Sequence, residues 1–576
     1  MSNLTVVSAN SVHLTPEANS PSIPNYQWQF LSASEKAAVD ASLKVIMNER
    51  FKNITMNVVD ASGVPYTGTV RVTQDSTSFI HFAGDPDGAW EGPWLRDYSW
   101  RQYLALSPSR SYTIAGSARW NIAEPVRGTF DFSNFDSQWN WAAHHGMVDF
   151  HLNIGPSFGP CCYWIPEWAK NLDYDSLKSA IQEYDEALVS HFKGRVQYYE
   201  IWWEVNGHRS NNNWPMAHII GIIKMEALTI RSMDPSARIY VDFIDTRWGS
   251  DPENGDWTIE DFVKQLLASG VPFDIIGDET EYGNYWPGAG IDTLYNRLIA
   301  IAKFGKPIYV WEDSLGSHDG PECDRPETWH GTPSEDKQAE YMVAETLVYL
   351  GNPSVLGVHW FELQDYDACH CGVISYPDGA RKKSFYALEQ LWNSLMVNET
   401  VQIVNGVAAF RGLAGNYSIS VEGYETEPSA IHVSDGKQNT FSLVLRSLAM
   451  RDQAAQTILE VGSNLTATSG GVLFQSSEAK NLLNQSFDED HTAEQMFQSK
   501  DYAAALQHAQ KALDLINQAY SKESEYVQEQ QQEQQEQQRQ QLLTRVVENV
   551  VVVALVGGCA VAVISYLRRR KPTASR

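Results

Sequence analysis

The chain has 576 residues, more than the ~250–300 that one hydrophobic core usually supports, so two or three folding units are expected. Its 43% hydrophobic and 20% charged residues exclude a wholly disordered chain. A net charge of −28 repels phosphate backbones and argues against nucleic acid as a partner. The 19 Trp residues suit either a large core or a surface for flat, hydroxyl-rich ligands.

The first 84 residues divide into a polar segment and a strand-rich segment. Residues 1–45 are polar and rich in turn formers, which predicts a loosely ordered lead-in. Two alternating runs, ITMNVVD and GTVRVTQ, then flank the turn residues 61–65 and predict a β-hairpin. The run FIHFAG follows this hairpin and is typical of a third strand.

Residues 85–395 alternate short apolar runs with amphipathic stretches such as 174–192 and 337–350. With FIHFAG there are eight strand candidates, the other seven being YTIAGSARW, MVDFHLNI, VQYYEIWWE, ARIYVDFID, FDIIGDETE, KPIYVWED and SVLGVHWFE. Eight strand–helix units over this length predict an α/β fold, a (β/α)8 TIM barrel, which with the hairpin spans residues 46–396.

The character of the chain changes after the barrel. Residues 397–450 alternate around Gly-rich turns and predict a small β-sandwich. Residues 451–545 predict a helical stalk that includes a helical hairpin at 492–520 and a Gln-rich stretch at 528–541. The uncharged run 549–567 has the length and composition of a transmembrane helix.

The basic tail 568–576 follows this apolar run directly. The positive-inside rule therefore predicts a cytoplasmic tail and an extracellular barrel, anchored by the C-terminal helix. Residues 1–20 have neither a basic n-region nor an apolar h-region, so they predict no secretory signal peptide. A tail anchor with the barrel facing the cytosol is the alternative.

The carboxyl ends of the predicted barrel strands are where catalytic groups of this architecture lie. Glu204 follows the fourth strand and Glu312 follows the seventh, each after an aromatic-rich run. Polar residues at other strand ends are Arg119, His151, Asp242, Glu279, Glu281 and Glu362. Hydrolysis of a glycosidic bond with retention needs two carboxyl groups across the sugar, which this pair would supply. The alternative is that both are solvated rim residues or ion-pair partners of cations such as Arg119.

Several segments resemble, in order, the family 10 glycoside hydrolases, the endo-β-1,4-xylanases of the retaining (β/α)8 clan. They are WNIAEPVRGTFDFSNFDSQWNWAAHHGM, DFHLNI, VQYYEIWWEVN, ARIYVDFID, VPFDIIGDETEYG, KPIYVWEDSLG, GVHWFELQDYD and GVISYPDGARKKSFYALEQL. The resemblance covers residues 54–395. It implies that Glu204 is the acid/base and Glu312 the nucleophile.

The resemblance also implies a set of sugar-binding positions. Arg119 stands where the family has a Lys, and Trp120, His151 and Trp360 stand on other sugar-binding positions. This sequence departs from the family at several positions: Trp203 replaces an Asn that binds the sugar 2-hydroxyl, Gly116 replaces another substrate-binding Asn, and Glu279 and Glu281 replace Gln and His. Trp203 is expected either to contact sugar or to pack in the barrel. The extra carboxylates are expected to raise pKa values near Glu312.

The resulting expectation is a membrane-anchored retaining hydrolase of β-linked, xylan-like carbohydrate that needs no cofactor or metal. A catalytically inactive carbohydrate-binding or adhesion protein on the same barrel is the alternative. The departures at Trp203, Glu279 and Glu281 keep that alternative open, and retention of both catalytic Glu residues weighs against it.

Overall fold

A computed structural model describes residues 23, 26–83, 96–114, 119–156, 164–207, 214–244, 257–280, 290–313, 315–318, 329–361, 363–365, 370–375, 379–436, 438–471 and 474–568. The chain forms two compact units. The barrel-and-sandwich unit comprises the chain up to Val59 with Val64–Val421 and Thr426–Val444. The helical unit comprises Asp60–Gly63, Glu422–Glu425 and the chain from Leu445 onwards.

The strands are β1 (Phe51–Asp60), β2 (Gly68–Thr77), β3 (Ile80–Ala83), β4 (Ser111–Ile114), β5 (Asp149–Asn153), β6 (Tyr198–Ile201), β7 (Arg238–Val241), β8 (Ile275–Thr280), β9 (Ile308–Asp313), β10 (Val355–Trp360), β11 (Asn398–Ile403), β12 (Val407–Leu413), β13 (Gly415–Ser420), β14 (Tyr424–Glu427), β15 (Ala430–Val433) and β16 (Asn439–Ser447). The α-helices are α1 (Ala33–Val45), α2 (Arg96–Leu106), α3 (Trp120–Ala123), α4 (Ser133–His144), α5 (Tyr174–Phe192), α6 (Met216–Met233), α7 (Ile259–Ala268), α8 (Ile291–Ala302), α9 (Glu335–Leu350), α10 (Lys383–Leu395), α11 (Leu448–Gly471), α12 (Ser477–Gln498) and α13 (Tyr502–Arg568). A π-helical turn, Ile46–Arg50, and a 3₁₀ turn, Glu167–Ala169, complete the set among the described residues.

Strands β3 to β10 form the predicted barrel. Their order in the sheet is β3-β10-β9-β8-β7-β6-β5-β4, and the printed pairings between neighbours are parallel, which confirms the eight strand candidates. The two outermost strands, β3 and β4, lie beside each other, so the barrel is nearly closed. Every residue of β8 is buried, as expected for a strand covered on both faces.

The helices between these strands cover the barrel with one apolar face each. Helix α7 is a clear example: Ile259, Phe262, Val263 and Leu266 are buried, and their spacing places them on one side. The Thr258 hydroxyl caps this helix by accepting a hydrogen bond from the Asp261 amide at 3.2 Å. Such helices hold the strand ends in fixed positions around the barrel mouth.

The expected hairpin between β1 and β2 does not form as a two-stranded unit. The two strands meet only near the turn, at the Val59–Pro65 bridge, and then enter different sheets. Strand β1 lies in the sheet β12-β1-β16-β14, and β2 lies in the sheet β11-β2-β13-β15. The sandwich is therefore built from strands that precede the barrel in the sequence and strands that follow it. Strands β1 and β2 each have a buried face, and the strands after the barrel pair with them.

Part of the predicted lead-in is also ordered. Helix α1 begins after Ser32 with a capping box, in which the Ser32 hydroxyl accepts from the Glu35 amide and Glu35 accepts from the Ser32 amide. Glu35 is 1% exposed, and it also accepts hydrogen bonds from the Ile291 amide at 3.0 Å and the Trp329 indole at 2.7 Å. His330 Nε2 lies 2.7 Å from the same carboxylate. Glu35 thus ties α1 to the start of α8.

Glu35→Gln should destabilise the barrel-and-sandwich unit by about 2 kcal/mol, because an amide cannot accept all these hydrogen bonds. Burial works against the charged form of Glu35, but the hydrogen bonds from Trp329 and Ser32 prevail and lower its pKa. The stabilisation is therefore present above the ordinary carboxyl range and is lost as the pH falls through the lowered pKa. Urea unfolding followed by tryptophan fluorescence measures this, since all 19 Trp residues lie outside the helical unit. An unchanged unfolding midpoint at pH 7 would contradict it.

The helical unit contains α11, α12 and α13. The predicted hairpin is confirmed, since α12 ends at Gln498 and α13 begins at Tyr502. Small and aliphatic side chains from the three helices form its core, namely Val461, Leu465, Ala493, Ala509, Ala512 and Ile516. Among the described helices, α13 alone is long and apolar enough over part of its length to cross a membrane.

Candidate active site

Four acidic residues stand at the carboxyl ends of adjacent strands. Glu204 follows β6, Asp242 follows β7, Glu279 lies near the end of β8, and Glu312 lies near the end of β9. Asp242, Glu279 and Glu204 are 0%, 1% and 6% exposed. The sequence predicted both Glu204 and Glu312 at this end, and the strand order brings all four to one half of the barrel mouth.

The backbone at both predicted catalytic residues is strained. Glu204 has φ +45° and Glu312 has φ +51°, in the left-handed region that L side chains rarely adopt. Trp202, two residues before Glu204, has φ +66°. Gly155 allows this bend, because a Cβ there would come within 1.9 Å of the Trp202 amide nitrogen. Each such residue costs on the order of 1–3 kcal/mol, so the surrounding fold must hold both carboxyl groups in place.

Glu312 has a strongly perturbed carboxyl group. Burial is the largest cause that raises its pKa well above the usual range, and the charges of Glu204 and Asp242 raise it further. A hydrogen-bonding contact from the Trp203 indole acts in the opposite direction and favours the ionised form. The charge of Glu204 thus bears on the ionisation of Glu312.

Two further acids complete the group. Burial raises the pKa of Asp242 to about 7, and burial followed by the charge of Asp242 raises that of Glu279 well above its usual range. Glu200, on β6, is fully buried and accepts a hydrogen bond from the Tyr240 hydroxyl at 3.1 Å. The charge of Glu312 raises the pKa of Glu279, but the charges that raise the pKa of Glu312 are those of Glu204 and Asp242, so the expected effect of the extra carboxylates on Glu312 stays a prediction.

A row of side chains leads from Arg119 to Glu312. The Arg119 guanidinium lies over the Trp164 ring, 4.5 Å from its centroid. The Trp164 ring in turn lies 5.4 Å from the Trp203 ring, tilted by 33°. Trp203, half-buried, ends the row at Glu312. Sequence reasoning missed Trp164, since a lone Trp after a loop carries no periodic signal. Trp202, by contrast, is fully buried in the core.

Trp203→Phe should move the acid limb of the pH–activity profile upwards by about one pH unit, because it removes the indole N–H but keeps the ring. The indole contact lowers the pKa of Glu312, so its loss raises that pKa further. As the pH falls, Glu312 of the variant then takes up its proton at a higher pH than Glu312 of the parent chain. The measurement is kcat/KM for an aryl glycoside between pH 4 and 8. Trp164→Phe is the matched control, since it keeps the ring stack without touching Glu312. Equal profiles for the two variants would contradict the assignment.

The remaining predicted site residues are placed differently. Trp360 ends β10, beside the strand of Glu312, and is 2% exposed. His151 lies in the middle of β5 and stacks on Tyr198 with a centroid distance of 4.3 Å, inside the barrel. Trp120 lies away from the group: its ring packs against Trp168, and its indole donates to Glu124 at 2.6 Å. Gly116, Glu281 and Glu362 lie outside the described residues.

Within the described ranges, no group of three or more His, Cys, Asp or Glu side chains has an arrangement that would hold a metal ion. The reactive groups at the described barrel mouth are carboxyl groups. When two carboxyl groups lie close together and away from water, one can keep its proton and act as the donor, while the other is ionised and acts as the nucleophile.

A nearly closed barrel of eight parallel strands defines a (β/α)8 protein, and its acidic residues gather at the carboxyl ends of the strands. Residues 99–377 match the sequence model of glycosyl hydrolase family 10. Through this region the chain is similar to that family.

Several curated proteins are similar to this chain. Endo-1,4-beta-xylanase 1 of Arabidopsis thaliana is 21% identical over 318 residues, which are 54% of this chain and 30% of the relative. Endo-1,4-beta-xylanase of Agaricus bisporus is 28% identical over 202 residues, which are 33% of this chain and 56% of the relative. The matched regions thus span between 30% and 56% of these relatives' lengths.

Solved structures with a similar chain path include two xylanases. Native xylanase 10B from Thermotoga maritima is 18% identical with a TM-score of 0.43, covering 55% of this chain and 96% of that one. The GH10 xylanase from Bispora sp. MEY-1 with xylobiose is 16% identical with a TM-score of 0.44, covering 55% of this chain and 97% of that one.

Proposed function

We propose that this chain is a retaining glycoside hydrolase that cleaves a β-linked, xylan-like polysaccharide, with Glu204 as acid/base and Glu312 as nucleophile. The observation that carries the proposal is the pair of carboxyl groups on β9 and directly after β6: Glu204 is buried, Glu312 is half-buried, and the charge of Glu204 raises the pKa of Glu312. The match to the family 10 sequence model and the names of the curated relatives, endo-1,4-beta-xylanases, support the choice of substrate class.

In the first step, the Glu312 carboxylate attacks the anomeric carbon while Glu204 donates its proton to the departing glycosidic oxygen. One C–O bond forms as the other breaks, which leaves a glycosyl ester on Glu312. Desolvation makes the carboxylate of Glu312 a stronger base and nucleophile, but it also raises the pH needed to ionise it. The Trp203 contact offsets part of that effect.

In the second step, the ionised Glu204 removes a proton from water, and the resulting hydroxide attacks the same carbon from the opposite side. The ester bond breaks, Glu312 leaves as a carboxylate, and Glu204 is again protonated. Two inversions give net retention. The left-handed backbone at both residues supports this scheme, because it holds the two carboxyl groups in one geometry through both steps.

The same proposal includes a place of action. The apolar part of α13 inserts in a membrane, and the basic residues from Arg568 onwards stay on the cytoplasmic side. The barrel then works outside the cell on carbohydrate near the membrane surface, with the helical unit as a spacer. Protease protection of the barrel in sealed vesicles of known orientation tests this arrangement.

The activity is tested on the full chain in detergent micelles with aryl β-xyloside, cellobioside, glucoside, galactoside and mannoside. Turnover of one glycoside that Glu204→Gln reduces by about 10²–10⁴-fold supports the hydrolase. Glu204→Ala should retain more activity on a dinitrophenyl glycoside than on the polysaccharide, because a good leaving group needs no proton. Glu312→Ala should lose both.

Glu183→Gln is the matched control, since Glu183 is an exposed carboxylate on α5 that pairs with Arg127. Its activity should equal that of the parent chain. Binding of xylo-oligosaccharides without turnover, unchanged by either active-site substitution, would overturn the hydrolase. It would support the inactive carbohydrate-binding protein instead. Trp203, in contact with Glu312 where the family has Asn, is the observation that favours this second candidate.

A further inference from the structure

Asp242 and Glu279 face each other across the neighbouring strands β7 and β8. Both side chains are buried, with exposures of 0% and 1%. The Glu279 amide donates to the Phe243 carbonyl at 2.8 Å, which fixes the two strand ends side by side. Asp242 Oδ1 and both carboxyl oxygens of Glu279 are buried, and no donor from the described residues reaches them. Each of the two carboxyl groups acts on the pKa of the other. Because an ionised carboxylate has no donor, two such neighbours can satisfy each other only with a proton between them.

Asp242 also contacts the predicted acid/base. The Glu204 amide donates to Asp242 Oδ2 at 3.3 Å, and the Val205 amide donates to the Asp242 carbonyl at 3.1 Å. Gly277 leaves room for the carboxyl group, since a Cβ there would lie 2.7 Å from Asp242 Oδ1. Asp242 therefore connects Glu279 to the strained backbone of Glu204.

The charged surroundings of this pair are acidic on every strand that faces it. They comprise Glu200 on β6, Glu204 after it, Tyr240 on β7 as a further titratable group, and Glu312 on β9. Asp278 shares a strand with Glu279, but it forms a salt bridge with Arg297 of α8. No cation in the described part of the barrel is among the groups that act on Glu279. Two negative charges at this position would therefore face others with no compensation.

We propose that Asp242 and Glu279 share one proton through the neutral range, so that Glu279 is a neutral acid that donates to Asp242, which in turn holds the Glu204 backbone. Glu279 is thus a positioning residue for Glu204. A carboxylic acid presents an O–H where an amide would present an N–H, so it can replace the Gln that the family resemblance places here. Loss of the shared proton at high pH makes the two groups repel and releases the amide of Glu204.

The test uses Glu279→Gln in the full chain, in detergent micelles. The first readout is the number of protons released on unfolding at pH 7, from the slope of unfolding free energy against pH. The native pair holds a proton that the unfolded chain releases, so the variant should release about one proton fewer. Tryptophan fluorescence reports the unfolding of this unit alone. An unchanged slope would overturn the proposal, and so would a variant that does not fold, because the amide keeps the same donor.

The second readout rests on the proposed hydrolase activity. Relative to its own maximum, the kcat/KM of the variant should persist to a higher pH than that of the parent. Glu226→Gln is the matched control: it replaces another buried acid, so it should change the proton count but not the pH–activity profile. If the parent hydrolyses no glycoside, the proposed function fails, and the proton count still decides whether the pair shares a proton.

Discussion

Glu312→Gln should abolish hydrolysis while making the barrel-and-sandwich unit more stable above pH 7. Removal of a nucleophile from a hydrolase costs between about 10⁴ and 10⁶ in rate. Burial, Glu204 and Asp242 raise the pKa of Glu312, so its ionised form is disfavoured in the folded state. As the pH rises through that pKa, the parent chain loses stability that a neutral amide keeps. We expect a gain of about 1–3 kcal/mol at pH 8.

The measurement combines aryl glycoside hydrolysis with urea unfolding at pH 5 and pH 8. At pH 5 the two chains should differ little, because Glu312 then carries its proton in the parent. Glu183→Gln should change neither quantity, since Glu183 is exposed. A Glu312→Gln variant that is less stable than the parent at pH 8 would show that the carboxylate has a stabilising partner.

Glu226→Gln should remove much of the alkaline instability of the same unit. Asp185 on α5 and Glu226 on α6 are both fully buried where these helices pack together. Burial raises the pKa of Glu226 to about 8, and burial together with the charge of Glu226 raises that of Asp185. The folded state therefore holds protons that the unfolded chain releases, and stability falls as the pH rises from about 4.5 to about 8, by about 1.4 kcal/mol per proton and pH unit.

The variant should be about 2–4 kcal/mol more stable than the parent at pH 8 and nearly equal to it at pH 5. Urea unfolding at four pH values between 5 and 8, followed by tryptophan fluorescence, gives both numbers. Glu183→Gln is the control, because Glu183 is an exposed acid on the same helix as Asp185. A gain that is the same at every pH would mean that the pair does not titrate in this range.

Local patterns predicted the barrel well and the sandwich partly. The alternation and burial of the eight strands are properties of each run, and parallel order follows from the intervening helices. The partners of β1 and β2 are not local properties, since Phe51 pairs with Leu413 and Asn398 pairs with Thr73. The turn between the two alternating runs therefore predicted a hairpin, but β1 and β2 pair with strands that follow the barrel instead of with each other.

The site shows the same division. Glu204 and Glu312 follow from their places at strand ends, and no further information is needed to find them. Trp120 and Trp164 are not distinguished by sequence, because the path of the chain after β5 decides which ring reaches Trp203. The effect of Asp242 on the pKa of Glu279 also depends on how two neighbouring strand ends align.

The two-sided origin of the sandwich has a consequence for biosynthesis. Strands β1 and β2 leave the ribosome early, but β12, β11 and β13 follow only after the whole barrel has been translated. Until then both early strands expose unpaired edges, which are the surfaces most prone to aggregation. The sandwich that β1 and β2 begin is therefore completed only when the last strands have been translated. A nascent chain released at the end of the barrel would need a chaperone to stay in solution.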